Sequence, residues 1–264
     1  MTCTAWSIDG GDESGQHMEV DVRNSLIGGA VLIGVVALGL NMAGTGSGAP
    51  TVWATDGESV NCPVRPQVLR SGLSNADADD SSGLNNHYWA VVVNRTGVVC
   101  AVAFSGPSRD SQWLLSRQIA AAKAFTANGL SLDGAPISTA QLYPWVQPGA
   151  PGNPLFGLAA GNPVSPEDAY RGPFAQFGTR DDPMIGRRVG GTITFGGGLG
   201  LYSGASAIGG LGLSGDTACA DHSTAWRLRE DLGLAPSSGN DKITLGPTEH
   251  PHCPNDAETQ GANP

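Results

Sequence analysis

Within Ser214–His222 the chain places a hydroxyl, two carboxylates and an imidazole: Ser214, Asp216, Asp221 and His222. In a pocket, Asp and His side chains at this spacing can exchange protons with a small molecule while Ser214 supplies a hydroxyl. Upstream, Arg187 and Arg188 add two permanent cations. Bland readings stand beside each of these. Asp216 and Asp221 at a helix start are favourable with the helix dipole alone. His222 can be a core histidine bonded to a carbonyl or an aspartate, and the arginines can pair with Asp181, Asp182 or Asp216. No GxSxG elbow, HExxH pair or GxGxxG after a strand occurs with its required context. Gly196–Gly200 leads from one strand into another, so no helix N-terminus awaits a phosphate there.

These residues need elements to hold them. Thr192–Phe195 alternates with the period of a half-buried strand, and Gly196–Gly198 breaks it. Leu199–Tyr202 and Ala207–Leu213, on either side of Ser203–Ser206, complete a tight three-strand meander. Ser214–Thr217 offers capping oxygens, so a helix is expected from about Asp216 to Leu232, stopped by Gly233. Its inner stripe would be Ala218, His222, Ala225, Arg229 and Leu232, with Cys219 and Trp226 on a second face.

Upstream, Tyr88–Val93 and Val98–Phe104 flank Asn94–Gly97 as a β-hairpin, whose turn is also an N-glycosylation sequon. A helix is expected from about Ser111 to Thr126, capped by Asp110 or Ser111, with Leu115, Ile119 and Ala122 as its apolar row. Lys123 falls on or beside that face. A short element at Val68–Leu73 precedes an acidic, serine-rich loop. Pro136–Arg188 is a long segment rich in proline, and its aromatics Tyr143, Trp145, Phe156, Tyr170, Phe174 and Phe177 argue against disorder. It is expected to wrap the sheet, cover a pocket or form a subunit contact.

The 264 residues fit one domain plus a leader. A formal charge of -10 excludes the basic footprint that nucleic acid requires. Leu26–Leu40 is an uncharged apolar run after Arg23 and before the small residues Ala43–Ala49, as in a secretory signal peptide; the alternative is an uncleaved single-span anchor, the one route to a membrane. The organisation is thus a leader over 1–49, an N-terminal extension over 50–87, a domain over 88–234 with an insertion over 136–188, and a tail over 235–264. Secreted or periplasmic localisation follows. Cys62, Cys100, Cys219 and Cys253 remain beyond the leader, an even number suited to an oxidising compartment, with no CxxC spacing. They allow three pairings, which spacing does not decide; the preference is Cys219 with Cys253 and Cys62 with Cys100. His250 and His252 in the tail are solvated, or bind metal.

In order along the chain, SRQIAAAKAFTANGLSL, GGGLGLYSGASAIGGLGLSGD and the following helix resemble the haem-binding GlcG/HbpS-like family over about Trp89–Leu234. The likeness extends to an exported subgroup with a VGRRIGG-type lead-in and an SGDTxCADH-type exit, matched by Ile185–Gly191 and Ser214–His222. Pro136–Arg188 is longer than in compact members, and the Ser203–Ser206 turn is short.

The resemblance implies an α/β (α+β) profilin-like domain, an antiparallel sheet packed by helices and assembled into homo-oligomers, in which some members bind haem. A haem site needs an apolar slot, an axial donor and cations for its propionates. The resemblance then makes His222 the axial ligand, Arg187, Arg188 and Lys123 the propionate partners, and His87 a second ligand candidate. A small planar ligand is the expected partner. The competing readings are a small-molecule enzyme using Asp216, Asp221, His222 and Ser214, and an exported structural oligomer without a ligand.

Overall fold

The computed structural model describes residues 51–53, 59–148, 153 and 155–255; the leader and Cys3 lie outside them. A two-stranded ladder, β1 (Thr51–Trp53) with β2 (Ser59–Asn61), precedes helix α1 (Pro66–Ala78). Strands β3 (Trp89–Asn94) and β4 (Val99–Phe104) form the expected hairpin. Helix α2 (Ser116–Leu130), the single turns α3 (Tyr143–Val146) and α4 (Pro166–Ala169), strands β5 (Gly198–Ser203) and β6 (Ser206–Ser214), and helix α5 (Ala218–Asp231) follow. The main sheet is antiparallel with order β4-β3-β6-β5.

The sheet is buried on both faces, which explains why β3 reads WAVVV without a polar alternate. Trp89, Val91 and Val93 face a cluster containing Ala120, Ala121 and Ala124 of α2, whereas Ala90 and Val92 face Leu69 and Leu73 of α1 and Ala225 and Leu228 of α5. The molecule is therefore helix, sheet, helix pair. Leu199, Leu201, Leu211 and Leu213 are fully buried on the α1–α5 side, and each contributes about 1.5–3 kcal/mol of transfer free energy. The opposite side is built on small residues: a Cβ on Gly212 would overlap the carbonyl oxygen of Ala120. Glycine there lets α2 lie directly on β6.

Three expectations change. Thr192–Phe195 forms no strand, because its donors are taken elsewhere; the Ile193 N–H goes to Thr126 Oγ1. Helix α2 begins five residues late, since Ser108, Asp110 and Ser111 hydrogen-bond one another in a local turn instead of capping. Leu115 consequently stands outside the apolar row, exposed with Trp113 and Leu114. The element expected at Val68–Leu73 is the longer α1, with Pro66 in its first turn. Helix α5 is capped by Thr217, whose side chain accepts the Ala220 N–H, and Gly233 turns the chain out at φ 66°. Its inner stripe holds at His222, Ala225 and Arg229, all fully buried.

Both outer strands carry non-strand chain along their rims. Val99 of β4 exchanges backbone bonds with Gly186 and Arg187, while β5 is bonded by Thr139 at Gly198 and by Leu234 at Tyr202. Disulfides Cys62–Cys100 and Cys219–Cys253 tie the N-terminal segment to β4 and the tail to α5. This is the preferred pairing. No helix among the described residues is long and apolar enough to cross a membrane.

Candidate functional site

Helix α5 carries His222 to the wall behind Gly196, where the absent glycine Cβ would stand 2.8 Å from the histidine Cβ. The imidazole is fully buried beside Trp226, with ring centroids 5.9 Å apart. Neither ring nitrogen has a hydrogen-bond partner, so the carbonyl or aspartate bond expected of a core histidine is not made. Burial holds its pKa well below the ordinary 6.5, and His250, Arg229 and Lys123 push the same way. The ring is neutral.

Lys123 reaches the same region from α2 but is committed to Asp221, Nζ to Oδ2 at 2.5 Å, with neither side chain meaningfully exposed. Gly197 makes the crossing possible: at φ 112°, a Cβ there would lie 2.8 Å from Lys123 Nζ. Burial lowers the lysine pKa against the pull of Asp221. Burial likewise raises the Asp221 pKa to about 6, against Lys123. Asp221 Oδ1 also accepts the N–H groups of Gly215 and Asp216. Asp216 accepts those of Leu84, Asn86 and Thr217. Both carboxylates are therefore structural staples in this conformation.

The tail closes over this corner. His250 Nε2 accepts the Gly196 N–H at 2.9 Å, so its proton sits on Nδ1 and is donated to the Pro251 carbonyl at 2.8 Å. Burial lowers the His250 pKa; the Pro251 bond opposes this and Lys123 adds to it. His87 is elsewhere, at the end of α1, with Nδ1 2.8 Å from Asp77. Among the described residues no cluster of three or more His, Cys, Asp or Glu could hold a metal ion.

The arginines do not join His222. Arg187 lies on the β4 rim through its backbone bond to Val99, with β3 and β6 between it and β5. Arg188 is exposed and donates from Nε to the Thr96 carbonyl at 3.0 Å. The aspartates offered to them have other partners. Arg117 holds Asp182 through two bonds of 2.7 and 2.6 Å, and Arg180 faces Asp181 at 3.4 Å. The buried pairs Arg117–Asp182 and Arg229–Asp241 were not anticipated from sequence; nothing local marks a charge as interior.

The structure supplies a different concavity, a cleft of about 580 Å3 between the C-terminal half of α2 and Leu155–Asn162 of the proline-rich segment. Phe125, Leu130, Leu155, Phe156 and Leu158 form its apolar walls, Leu130 being 39% and Phe156 64% exposed. Its polar groups are already occupied. Asn162 Nδ2 donates to the Gly191 carbonyl and Thr192 Oγ1, and Thr126 Oγ1 donates to the Ala122 carbonyl. Gly97 in the β3–β4 turn packs on Phe125, where a Cβ would come within 2.6 Å of the ring. Thr96, its neighbour in the same turn, accepts from Arg188 through its carbonyl. None of the five sequence-nominated residues is among the described residues that line the cleft; Arg188 is bonded to the turn that packs on Phe125. The aromatic content of Pro136–Arg188 was the one sequence signal that pointed here.

No curated protein sequence matches the chain. Among solved structures, Klebsiella pneumoniae protein ORFY aligns with a TM-score of 0.42 and 20% identity, over 65% of this chain and 92% of that one. A structure described as a PduOC:heme complex aligns with a TM-score of 0.41 and 23% identity, over 65% of this chain and 96% of that one. The family model described as haem degrading protein HbpS-like matches residues 78–228, more than half of the 264. The chain belongs to the HbpS-like family.

Proposed function

We propose that this protein binds a flat, largely apolar tetrapyrrole, haem first among them, in the cleft between α2 and Leu155–Asn162. The observation that carries this reading is the cleft itself: apolar walls contributed from two sides, at a volume within the range of small-molecule sites, about 300–1,000 Å3, with Arg188 bonded to the turn that packs on Phe125. A macrocycle face would rest on Phe125, Leu130 and Phe156, and its carboxylates would meet the arginine, a residue suited to planar bidentate recognition. The family description supports haem as the first ligand to test. Two disulfides support a site of action outside the cytoplasm. The homo-oligomer expected from the resemblance belongs to the same reading.

Haem fits this cleft as a ring and not as an iron centre, since no lining side chain carries a nitrogen or sulfur donor suited to iron. A second reading keeps His222 as the axial ligand, favoured by its two unpartnered nitrogens. It requires the cover around Gly196 and His250 to open.

Titration with haemin separates the two. Cleft binding gives a saturable Soret change that Leu130→Asp and Phe156→Ala weaken by about tenfold or more, roughly 1.4 kcal/mol, while His222→Leu leaves it unchanged. An unsaturable response rejects tetrapyrrole binding. Loss of the change in His222→Leu alone moves the site to α5.

A further inference from the structure

We infer that the cleft reads the porphyrin ring and not its metal, so that metal-free porphyrin binds as well as haem. The inference rests on the tetrapyrrole reading and extends it to the ligand class.

Iron in a porphyrin is held by His, Cys, Met or Tyr side chains. Among the described residues, none of these lines the cleft. Tyr88, Tyr143, Tyr170, Tyr202 and His252 do not line it, and the other donors among the described residues are engaged or buried elsewhere. His222 has no exposed surface. His250 has both nitrogens engaged, one by Gly196 and one by Pro251. His87 is bonded to Asp77 on α1. The four cysteines are in disulfides, and Met184 is fully buried in the core. What the cleft offers instead is Phe and Leu surface, with oxygens and amide already paired among themselves. Binding energy there comes from apolar area and from the carboxylate edge of the ring, both of which are the same with and without iron.

The test titrates the full chain with haemin, metal-free protoporphyrin IX and zinc protoporphyrin, following absorbance for the first and ligand fluorescence for the others. Leu130→Asp and Phe156→Ala serve as cleft controls, with circular dichroism confirming that they fold. The expected result is dissociation constants within about threefold of one another, a difference under 1 kcal/mol, all weakened together by the cleft variants and unchanged in His222→Leu. Saturable haemin binding with metal-free porphyrin weaker by about tenfold or more overturns the inference and leaves haem binding intact. Saturation by none of the three overturns tetrapyrrole binding itself and the inference with it.

Discussion

Arg117 of α2 and Asp182 of the proline-rich segment close on each other through paired bonds of 2.7 and 2.6 Å, both side chains out of solvent. The guanidinium also donates from Nε to the Ala169 carbonyl and lies 4.0 Å over the Phe177 ring. The carboxylate in turn accepts the Gly178 and Met184 N–H groups. One pair thus fastens the segment to the helix that forms the other wall of the cleft.

Asp182→Ala leaves a buried guanidinium without its anion, a change that costs about 3–5 kcal/mol in buried pairs. Chemical denaturation measures this loss, and limited proteolysis is expected to cut first between Val164 and Val189. Ligand affinity should fall with it, although neither residue lines the cleft.

Lys123 of α2 and Asp221 of α5 give a companion case that links the helices of the two layers. Asp221→Ala is expected to cost a similar amount, about 3–5 kcal/mol. Lys123→Met combined with Asp221→Leu should recover part of it, because no charge is left unpaired. Recovery stays incomplete, since Gly215 and Asp216 lose their acceptor. Urea midpoints of the two variants test the sign of the coupling.

His222 and His250 both have pKa values below the ordinary one, so the folded chain binds fewer protons than the unfolded chain once pH drops under about 6.5. Their stabilisation is complete above that value and declines below it, by up to about 1.4 kcal/mol per pH unit for each histidine. Asp221, raised to about 6, works in the opposite sense. Its contribution is present below about 3.9 and lost as pH rises through 6, offsetting one of the two protons. A net decline between pH 6.5 and 5 is expected from denaturation at each pH.

His222→Leu should flatten that dependence. At pH 7 it should leave stability unchanged or raise it, because it removes two buried nitrogens with no partner. A loss of several kcal/mol at pH 7 would show that the imidazole makes a bond in solution.

Gly212→Val is expected to prevent native packing, since its side chain would enter the backbone of α2 at Ala120. Gly233→Ala, where nothing surrounds the missing Cβ but φ is 66°, should cost only about 1 kcal/mol. The contrast in melting temperature separates steric from conformational need for glycine.

What the sequence revealed follows from how local each cause is. The β3–β4 turn was legible because Asn94 Oδ1 accepts from Thr96 and Val98 within its own loop. The α5 start was legible because Thr217 caps it from one turn away. Thr192–Phe195 misled because its alternation is real while its partner is a side chain of α2. The cleft joins Phe125, Phe156 and Thr192, pieces with no shared period, and Arg117 reads like any helix-surface arginine until Asp182 is brought to it. The nominated ligands are not brought together for the same reason: Arg188 is held by the β3–β4 turn and His222 by α5.

The occupied rims of β4 and β5 have a bearing on how copies of this protein meet. With Gly186 and Arg187 bonded to Val99, Thr139 to Gly198 and Leu234 to Tyr202, the outer strands of the four-stranded sheet offer a second molecule less free backbone to pair with. A contact between copies would then fall to side chains on helices and loops.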